Sequence, residues 1–299
     1  MMNLQNWIGA FRLRTLPLAL ASILMGIAVS QIHGEFNWQV SLWAIITTLL
    51  LQILSNLAND YGDGIKGTDN KNRLGPERAI QSGAISLKQM KIAIIIFSIL
   101  SLISGLYLIK LSDISIQGII LFIALGISAI LAAIFYTVGK KSYGYRGLGD
   151  IFVFLFFGLL AVLGSFYLNA KYISLDVVYP AITVGLLSTA VLNLNNIRDL
   201  KNDKKSGKMT IAVKLGVKRA KFYHTLLINI AFFALLLFVS RSATAWQIYL
   251  VFLLYPLFLM DLMKIDKETD LKNLDPFLKK TAIKTFLLVL VFTVLIFVF

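Results

Sequence analysis

Two segments of the sequence combine carboxylates with basic side chains in a pattern suited to binding a metal ion and a phosphate. The first covers residues 56–69 and the second covers residues 193–208. When the first is shifted by 140 positions it falls on the second, and both share the pattern N-x-x-[ND]-x-x-x-D-x-x-x-G. This similarity at corresponding places predicts an internal duplication of a helical unit.

Within each segment, the amide and carboxylate side chains are four residues apart. If a helix continues through them, residues at this spacing share one face. Asn59 then lies over Asp63, and Asn195, Asp199 and Asp203 form a matching row. Carboxylates at a helix C-terminus repel the helix dipole and one another. Oxygen ligands without His or Cys suit Mg²⁺, which commonly bridges a few carboxylates to substrate phosphates.

Basic residues in the loops that contain these segments match the needs of a metal-bound diphosphate, whose remaining negative charge they would balance. The alternative is a solvated loop whose own charges neutralise one another. One acidic motif alone favours that alternative, whereas two matched copies favour a diphosphate site. The basic residues of the two regions are Lys66, Lys71, Arg73, Arg78, Arg198, Lys201, Lys204, Lys205 and Lys208.

The elements that must position these residues are membrane helices. The chain is 58% hydrophobic and only 15% charged, whereas a soluble domain is about 25% charged. Because backbone hydrogen bonds in lipid must close within a segment, we expect an all-α polytopic membrane protein, with residues 1–299 as one domain. With no Cys and two His, thiolate and three-histidine metal sites are excluded. Nine apolar runs approach the 20 or so residues that a spanning helix needs: 16–32, 39–58, 92–109, 115–137, 150–169, 176–196, 221–239, 244–263 and 281–299.

The basic residues are distributed unevenly between the two sides of these nine spans. The N-terminus and the loops after spans 2, 4, 6 and 8 hold 26 of the 29 Lys and Arg; the exceptions are Lys110, Lys171 and Arg241. This bias predicts a cytoplasmic N-terminus and an extracytoplasmic C-terminus. The net charge of +14 then reflects topology and contact with the lipid bilayer, and nucleic acid is not an expected partner.

A third loop, at residues 136–150, is rich in Gly and Tyr and predicts a tight turn between spans 4 and 5. Tyr136 and Lys140 share a face if the helix persists through them. This loop is either an interfacial aromatic belt with positive-inside charge or a further set of phosphate ligands. The residues alone leave both interpretations open.

At these motifs the sequence resembles the UbiA-type intramembrane prenyltransferases. The resemblance is good over the first seven spans and weaker over the last two. The wider superfamily has Asp where this chain has Gly67, with the next acid at Asp69, and this spacing is similar to that of the branch acting on 1,4-dihydroxy-2-naphthoate. The stretches that carry the resemblance are residues 14–18, 52–69, 73–76, 136–150 and 195–216.

The resemblance implies an active site near the cytoplasmic face of the bacterial inner membrane. There a polyprenyl group would pass from polyprenyl diphosphate to 1,4-dihydroxy-2-naphthoate, releasing diphosphate and CO₂ and giving demethylmenaquinol, then demethylmenaquinone, in menaquinone biosynthesis. Tyr136 and Lys140 match a Y-x-x-x-K element near the diphosphate, which Lys66, Arg73, Arg78 and Arg198 would also contact. The implied Mg²⁺ ligands are Asn59, Asp60, Asp63, Asp199 and Asp203.

The acceptor site is the least defined part of the sequence. Arg14, Asn195, Asn196 and His224 are its candidates, although Arg14 also fits an anchoring role and His224 that of a buried structural histidine. Other aromatic prenyltransferases, with 4-hydroxybenzoate, homogentisate or haem as acceptor, are alternatives. So are a cation-coupled transporter, which would place its ionisable groups near mid-membrane, and a membrane phosphotransferase, which would carry a single long acidic motif.

Overall fold

The computed structural model describes residues 4–70, 74–242 and 245–299. Within these ranges the chain forms helices and connecting turns and contains no β-strand. Its α-helices are α1 (Leu4–Phe11), α2 (Leu16–Ile32), α3 (Trp38–Lys66), α4 (Leu87–Ser112), α5 (Ile116–Phe135), α6 (Gly149–Val153), α7 (Gly164–Ala170), α8 (Val178–Arg198), α9 (Leu200–Lys205), α10 (Ile211–Ser242), α11 (Tyr255–Lys267) and α12 (Asp275–Val298).

Nine helical stretches of the described residues are long and apolar enough to cross a membrane, which confirms the predicted number. Several extend beyond the apolar runs of the sequence, because the helices continue into polar ends. The stretches are Leu4–Ile32, Trp38–Lys66, Leu87–Ser112, Ile116–Phe135, Gly149–Ala170, Leu175–Arg198, Ile211–Ser242, Trp246–Lys267 and Leu271–Val298.

Three prolines inside apolar runs suggest kinks, but the structure places each of them in the first turn of an α-helix. Pro17 and Pro256 are the second residues of α2 and α11, and Pro180 is the third residue of α8. A 3₁₀ segment precedes each of these helices, and the one before α11 is nine residues long. Proline is tolerated in a first turn because its missing N–H would have no partner within the helix there.

The helices form two groups with α2 between them. In the first group α3 packs against α4 and α5, and in the second α8 packs against α10 and α12. Helix α2 contacts α3, α8 and α12. The largest apolar core lies in the second group and includes Phe166, Leu235 and Phe292, whereas α5 buries only Gly118. Helix α5 therefore leaves nearly all of its surface unburied by protein, as expected for a helix that faces lipid.

Both acidic segments lie at the same end of the bundle. Lys208, just after α9, lies 3.8 Å from Asp63 on α3, and Arg198 of α8 bonds to Asp275 at the start of α12. We call this end the acidic end; its carboxylates are Asp60, Asp63, Asp69, Asp199 and Asp203.

The fifth spanning stretch contains a π-helical segment, Phe154–Leu163, between α6 and α7. Gly158 in this segment lies directly against α8. A Cβ added at Gly158 would lie 2.7 Å from both the carbonyl oxygen of Ala181 and the Cα of Gly185. Both obstacles are backbone atoms that cannot rotate away, so this crossing requires glycine, as close helix crossings in membranes commonly do.

Gly158→Ala is therefore expected to destabilise the protein by about 1–3 kcal/mol, the usual cost of forcing an extra methyl group into a packed site. The matched control is Gly9→Ala, since a Cβ at Gly9 on α1 meets nothing within 4 Å. Thermal unfolding of both variants in detergent measures the difference. Equal midpoints for the two variants would contradict the proposed contact.

Candidate active site

A cavity of about 410 Å³ lies between the two helix groups. Helix α3 lines it from Ala44 to Asp63, a separation of about 28 Å at 1.5 Å per residue. The cavity therefore runs from the acidic end far into the apolar part of the bundle. Its polar lining at the acidic end comprises Arg12, Arg14, Asn59, Asp63, Thr68, Asp69, Arg78, Tyr136, Asn195, Asp199, Asn202, Asp203 and Lys208.

The two acidic segments have matching backbone turns. Gly67 and Gly207 follow their helices with left-handed φ values of 69° and 72°. The amide of the next residue returns to the carbonyl oxygen of Asp63 in the first segment (3.1 Å) and of Asp203 in the second (2.8 Å). This is the 6→1 bond of a helix C-cap, which favours glycine. The same turn thus ends the acidic row in both segments.

The carboxylate of Asp63 is held by two side chains from other parts of the chain. The hydroxyl of Tyr145 donates to its Oδ1 (2.7 Å), and Nζ of Lys208 lies 3.8 Å from its Oδ2. Burial and the nearby Asp63 raise the pKa of Tyr145, so its phenol stays protonated. Sequence reasoning missed Tyr145, because nothing in the spacing of its loop points to a residue 82 positions earlier.

Asp199 is held by Arg198, which is fully buried. Nε of Arg198 lies 3.1 Å from Oδ1 of Asp199, and Nη2 lies 2.6 Å from Oδ2. The same guanidinium donates to Oδ1 of Asn195 (2.8 Å) and to Asp275 of α12. Arg198 does not line the cavity, whereas Asn195 and Asp199 do. The structure therefore places this predicted diphosphate ligand behind a predicted metal ligand.

Asp60, a predicted metal ligand, faces two arginines instead of the cavity. Its Oδ1 accepts from Arg12 and lies 3.7 Å from Nε of Arg78. Both arginines line the cavity, and Asp60 does not. Arg12 has a left-handed φ of 51°, a strained conformation for a residue other than glycine. The geometry thus makes Asp60 a support for two cations that can meet a negatively charged ligand.

Tyr136 lines the cavity at the end of α5, and burial raises the pKa of Tyr136 to about 12. Lys140 follows Gly139, whose φ of 91° turns the chain away from the helix, so Lys140 is exposed outside the cavity. Lys66 lies outside the cavity as well, bonded to Ser142 with its Nζ 3.9 Å from the Tyr145 ring centre.

The remaining predicted site residues differ in whether they line the cavity. Arg14 lines the cavity. Asn196 and His224 are buried in α8 and α10 and do not line it. Arg73 lies outside the described residues.

The residues present fit a hard divalent cation, although, among the described residues, no three acidic or histidine side chains are grouped as a ready metal site. Asn59, Asp63, Asp199 and Asp203 all line the cavity and offer only oxygen atoms. The Oδ1 of Asn59 is buried, with no hydrogen-bond partner among the described residues. A buried oxygen without a partner costs free energy unless a ligand satisfies it, and carboxylate and amide oxygens suit Mg²⁺.

A bundle of membrane helices around a cavity that is ionic at one end and apolar beyond it defines an intramembrane enzyme class for substrates with a charged head and an apolar tail. A model of the UbiA prenyltransferase family matches residues 19–283. The chain belongs to this family, which confirms the prenyltransferase hypothesis over the transporter and phosphotransferase alternatives.

Curated relatives and solved structures agree with this assignment. The chain is 43% identical to 1,4-dihydroxy-2-naphthoate octaprenyltransferase of Haemophilus influenzae, covering 97% of this chain and 95% of that one. It is 44% identical to the protein of the same name from Escherichia coli, covering 93% and 90%. A UbiA homologue from Archaeoglobus fulgidus, solved with DMAPP and Mg²⁺, matches with a TM-score of 0.63 at 18% identity, covering 96% and 99%. The last comparison concerns the fold.

Proposed function

We propose that this protein transfers a polyprenyl group from a polyprenyl diphosphate to 1,4-dihydroxy-2-naphthoate, with loss of diphosphate and CO₂. The reaction would form demethylmenaquinol in menaquinone biosynthesis. The observation that carries the proposal is that one and the same cavity is ionic at the acidic end and apolar further along its length. The choice of acceptor and of a long prenyl group is supported by the names of the Haemophilus and Escherichia relatives.

The apolar wall of the cavity suits a prenyl tail. Helix α5 and the π-helical segment contribute to it, with Leu125, Phe156 and Leu160 among their lining residues. A second groove of about 640 Å³, also apolar, shares these three residues and leads between α5 and the fifth spanning stretch. A tail longer than the cavity can leave through this groove, while its diphosphate stays at the acidic end.

In the proposed site, Mg²⁺ would be held by Asn59, Asp63, Asp199 and Asp203. When bound, the metal supplies electrophilic stabilisation of the leaving diphosphate. Basic side chains around the cavity balance the rest of that charge, as preorganised cations do for a transferring phosphate group. The candidates that line the cavity are Arg12, Arg14, Arg78 and Lys208.

The chemical step then needs no protein nucleophile. The allylic C–O bond breaks and its electron pair leaves with the diphosphate, while an electron-rich ring carbon of the naphthoate forms the new C–C bond. The carboxylate leaves as CO₂ and its electron pair returns to the ring. Tyr136, protonated at neutral pH, can donate a hydrogen bond at the acidic end. The apolar wall of the cavity excludes water that would trap the allylic cation.

The acidic end is proposed to face the cytoplasm of a bacterium, with the protein in the inner membrane. The argument is the distribution of Lys and Arg, of which 26 of 29 belong to the N-terminus and the loops of that side.

The purified protein in detergent should convert polyprenyl diphosphate and 1,4-dihydroxy-2-naphthoate to a prenylated naphthalenediol, with Mg²⁺-dependent release of CO₂. The measurement is product mass together with CO₂, with 4-hydroxybenzoate offered in parallel. We expect product from the naphthoate alone. Product from the benzoate alone would contradict the proposed acceptor while keeping prenyl transfer, and product from neither would point to another aromatic acceptor.

A further inference from the structure

Lys208 is the last residue of the second acidic segment, and its ammonium group faces Asp63 of the first. Its Nζ is 3.8 Å from Oδ2 of Asp63 and 5.4 Å from the centre of the Tyr145 ring. The side chain lines the cavity, yet the residue is only 8% exposed. The left-handed turn at Gly207 and the bond from its own amide to Asp203 fix where the side chain starts.

This ammonium group is kept charged by the acids around it. Burial by itself lowers the pKa of Lys208, but the carboxylates of Asp63 and Asp203 outweigh burial and raise it. The attraction between opposite charges at this distance is markedly stronger when both groups are removed from water. Lys208 therefore supplies positive charge to one carboxylate from each acidic segment.

A divalent cation at Asp63 and Asp203 would have to share them with this ammonium group. The four carboxylates that line the cavity are already matched by four cations of its lining, Lys208 and three arginines, so a divalent ion adds two positive charges without compensation. A diphosphate brings the missing negative charge, and it gives Lys208 a new partner once the metal takes the carboxylates. Lys66 cannot replace Lys208 in this role, because it bonds to Ser142 outside the cavity.

We propose that Lys208 is a positioning residue that competes with Mg²⁺ for Asp63 and Asp203, so that the metal binds tightly only together with a diphosphate. The inference rests on the proposed function for the identity of the metal and of the diphosphate. The inference adds an order of binding, in which the metal and the prenyl diphosphate enter together. In the empty site, Lys208 occupies the carboxylates that the metal would use. A site of this kind does not retain the metal after the diphosphate has left.

The test is Mg²⁺ binding without turnover, followed as the rise of the thermal midpoint of the full-length protein in detergent. Each protein is titrated with Mg²⁺ alone and with Mg²⁺ plus inorganic diphosphate. For Lys208→Met we expect the half-saturating concentration of Mg²⁺ alone to fall about tenfold, the scale on which groups around a metal site change its affinity. The additional stabilisation by diphosphate should shrink.

Lys205→Met is the matched control, because Lys205 is exposed on α9 three residues away, and it should behave as the unchanged protein does. Lys208→Arg keeps the charge and should also retain weak binding of Mg²⁺ alone. If Lys208→Met does not fold, Lys208→Gln is measured in its place.

An unchanged or higher half-saturating concentration in the uncharged variant overturns the role of Lys208. If diphosphate increases Mg²⁺ binding in the unchanged protein, the proposed function survives that result. Absence of any Mg²⁺ effect in every protein overturns both.

Discussion

Replacing Asp63 with asparagine is expected to lower the rate of prenyl transfer by about 100-fold or more while the fold remains intact. Loss of one preorganised charge-stabilising group at a reacting centre typically has an effect of this size. Asp63→Asn conserves shape and can still accept the hydrogen bond that Tyr145 donates to Oδ1. It removes the negative charge proposed to hold the metal. Turnover at saturating prenyl diphosphate, measured over a range of Mg²⁺ concentrations, reports the loss.

Asp113→Asn is the control for this substitution. Asp113 is the left-handed C-cap of α4, outside the cavity, with an exposed side chain that lies 3.6 Å from Lys171. Asparagine is well suited to such a position, so activity should be unchanged. Near-normal turnover by Asp63→Asn would remove Asp63 from the proposed metal site. An equal loss of turnover in the Asp113 variant would indicate a general defect.

Replacing Arg198 with methionine should destabilise the protein by about 3–5 kcal/mol, the cost of breaking a buried ion pair by removing one partner. The guanidinium is fully buried and bonds to Asp199, Asp275 and Asn195. Without it, the buried carboxylate of Asp199 loses the two hydrogen bonds that the guanidinium donates to it. Stability in mixed micelles and the Mg²⁺ dependence of activity should therefore both change.

Arg219→Met tests whether these effects are specific, because Arg219 is exposed on α10 and its loss should alter stability by less than about 0.5 kcal/mol. Adding Asp275→Asn to the Arg198 variant removes the charge of one of the two carboxylates that Arg198 binds. The double variant should recover part of the stability. If Arg198→Met were as stable as Arg219→Met, the network would not hold Asp199 in the way described.

The acidic motifs show how far local spacing reaches. The spacing of four predicts that Asn59 and Asp63 share a face, and α3 continues through both to Lys66. In the second segment α8 ends at Arg198, yet the amide of Asp203 still bonds to the carbonyl of Asp199 at 2.8 Å. The expected row is therefore preserved across a short break. Spacing succeeds here because each row lies within one continuous stretch of helical hydrogen bonds.

Spacing is less informative about Lys140 and about the partners of the charged residues. The Y-x-x-x-K pattern puts Tyr136 and Lys140 on one face only if the helix continues through both. In the structure α5 ends at Phe135, and Gly139 then turns Lys140 outward. Arg198 appears in the sequence as one of several loop cations, but Asp275, 77 residues later, reaches its guanidinium. A pattern of neighbouring residues cannot predict a contact between positions 77 residues apart. Whether Arg198 can contact a diphosphate or instead supports Asp199 depends on the position of Asp275, the first residue of α12.

The sequence by itself determined the membrane class, the number of spans and the end of the bundle where the acids gather. It could do so because lipid forces every apolar run of about 20 residues into a helix, and because helix caps such as Gly67 and Gly207 are local. Only the tertiary structure decided which cation serves which acid: Arg12 with Asp60, Arg198 with Asp199, and Lys208 with Asp63. Those pairings depend on how the helices pack and rotate about their axes, which residue spacing along one helix does not contain.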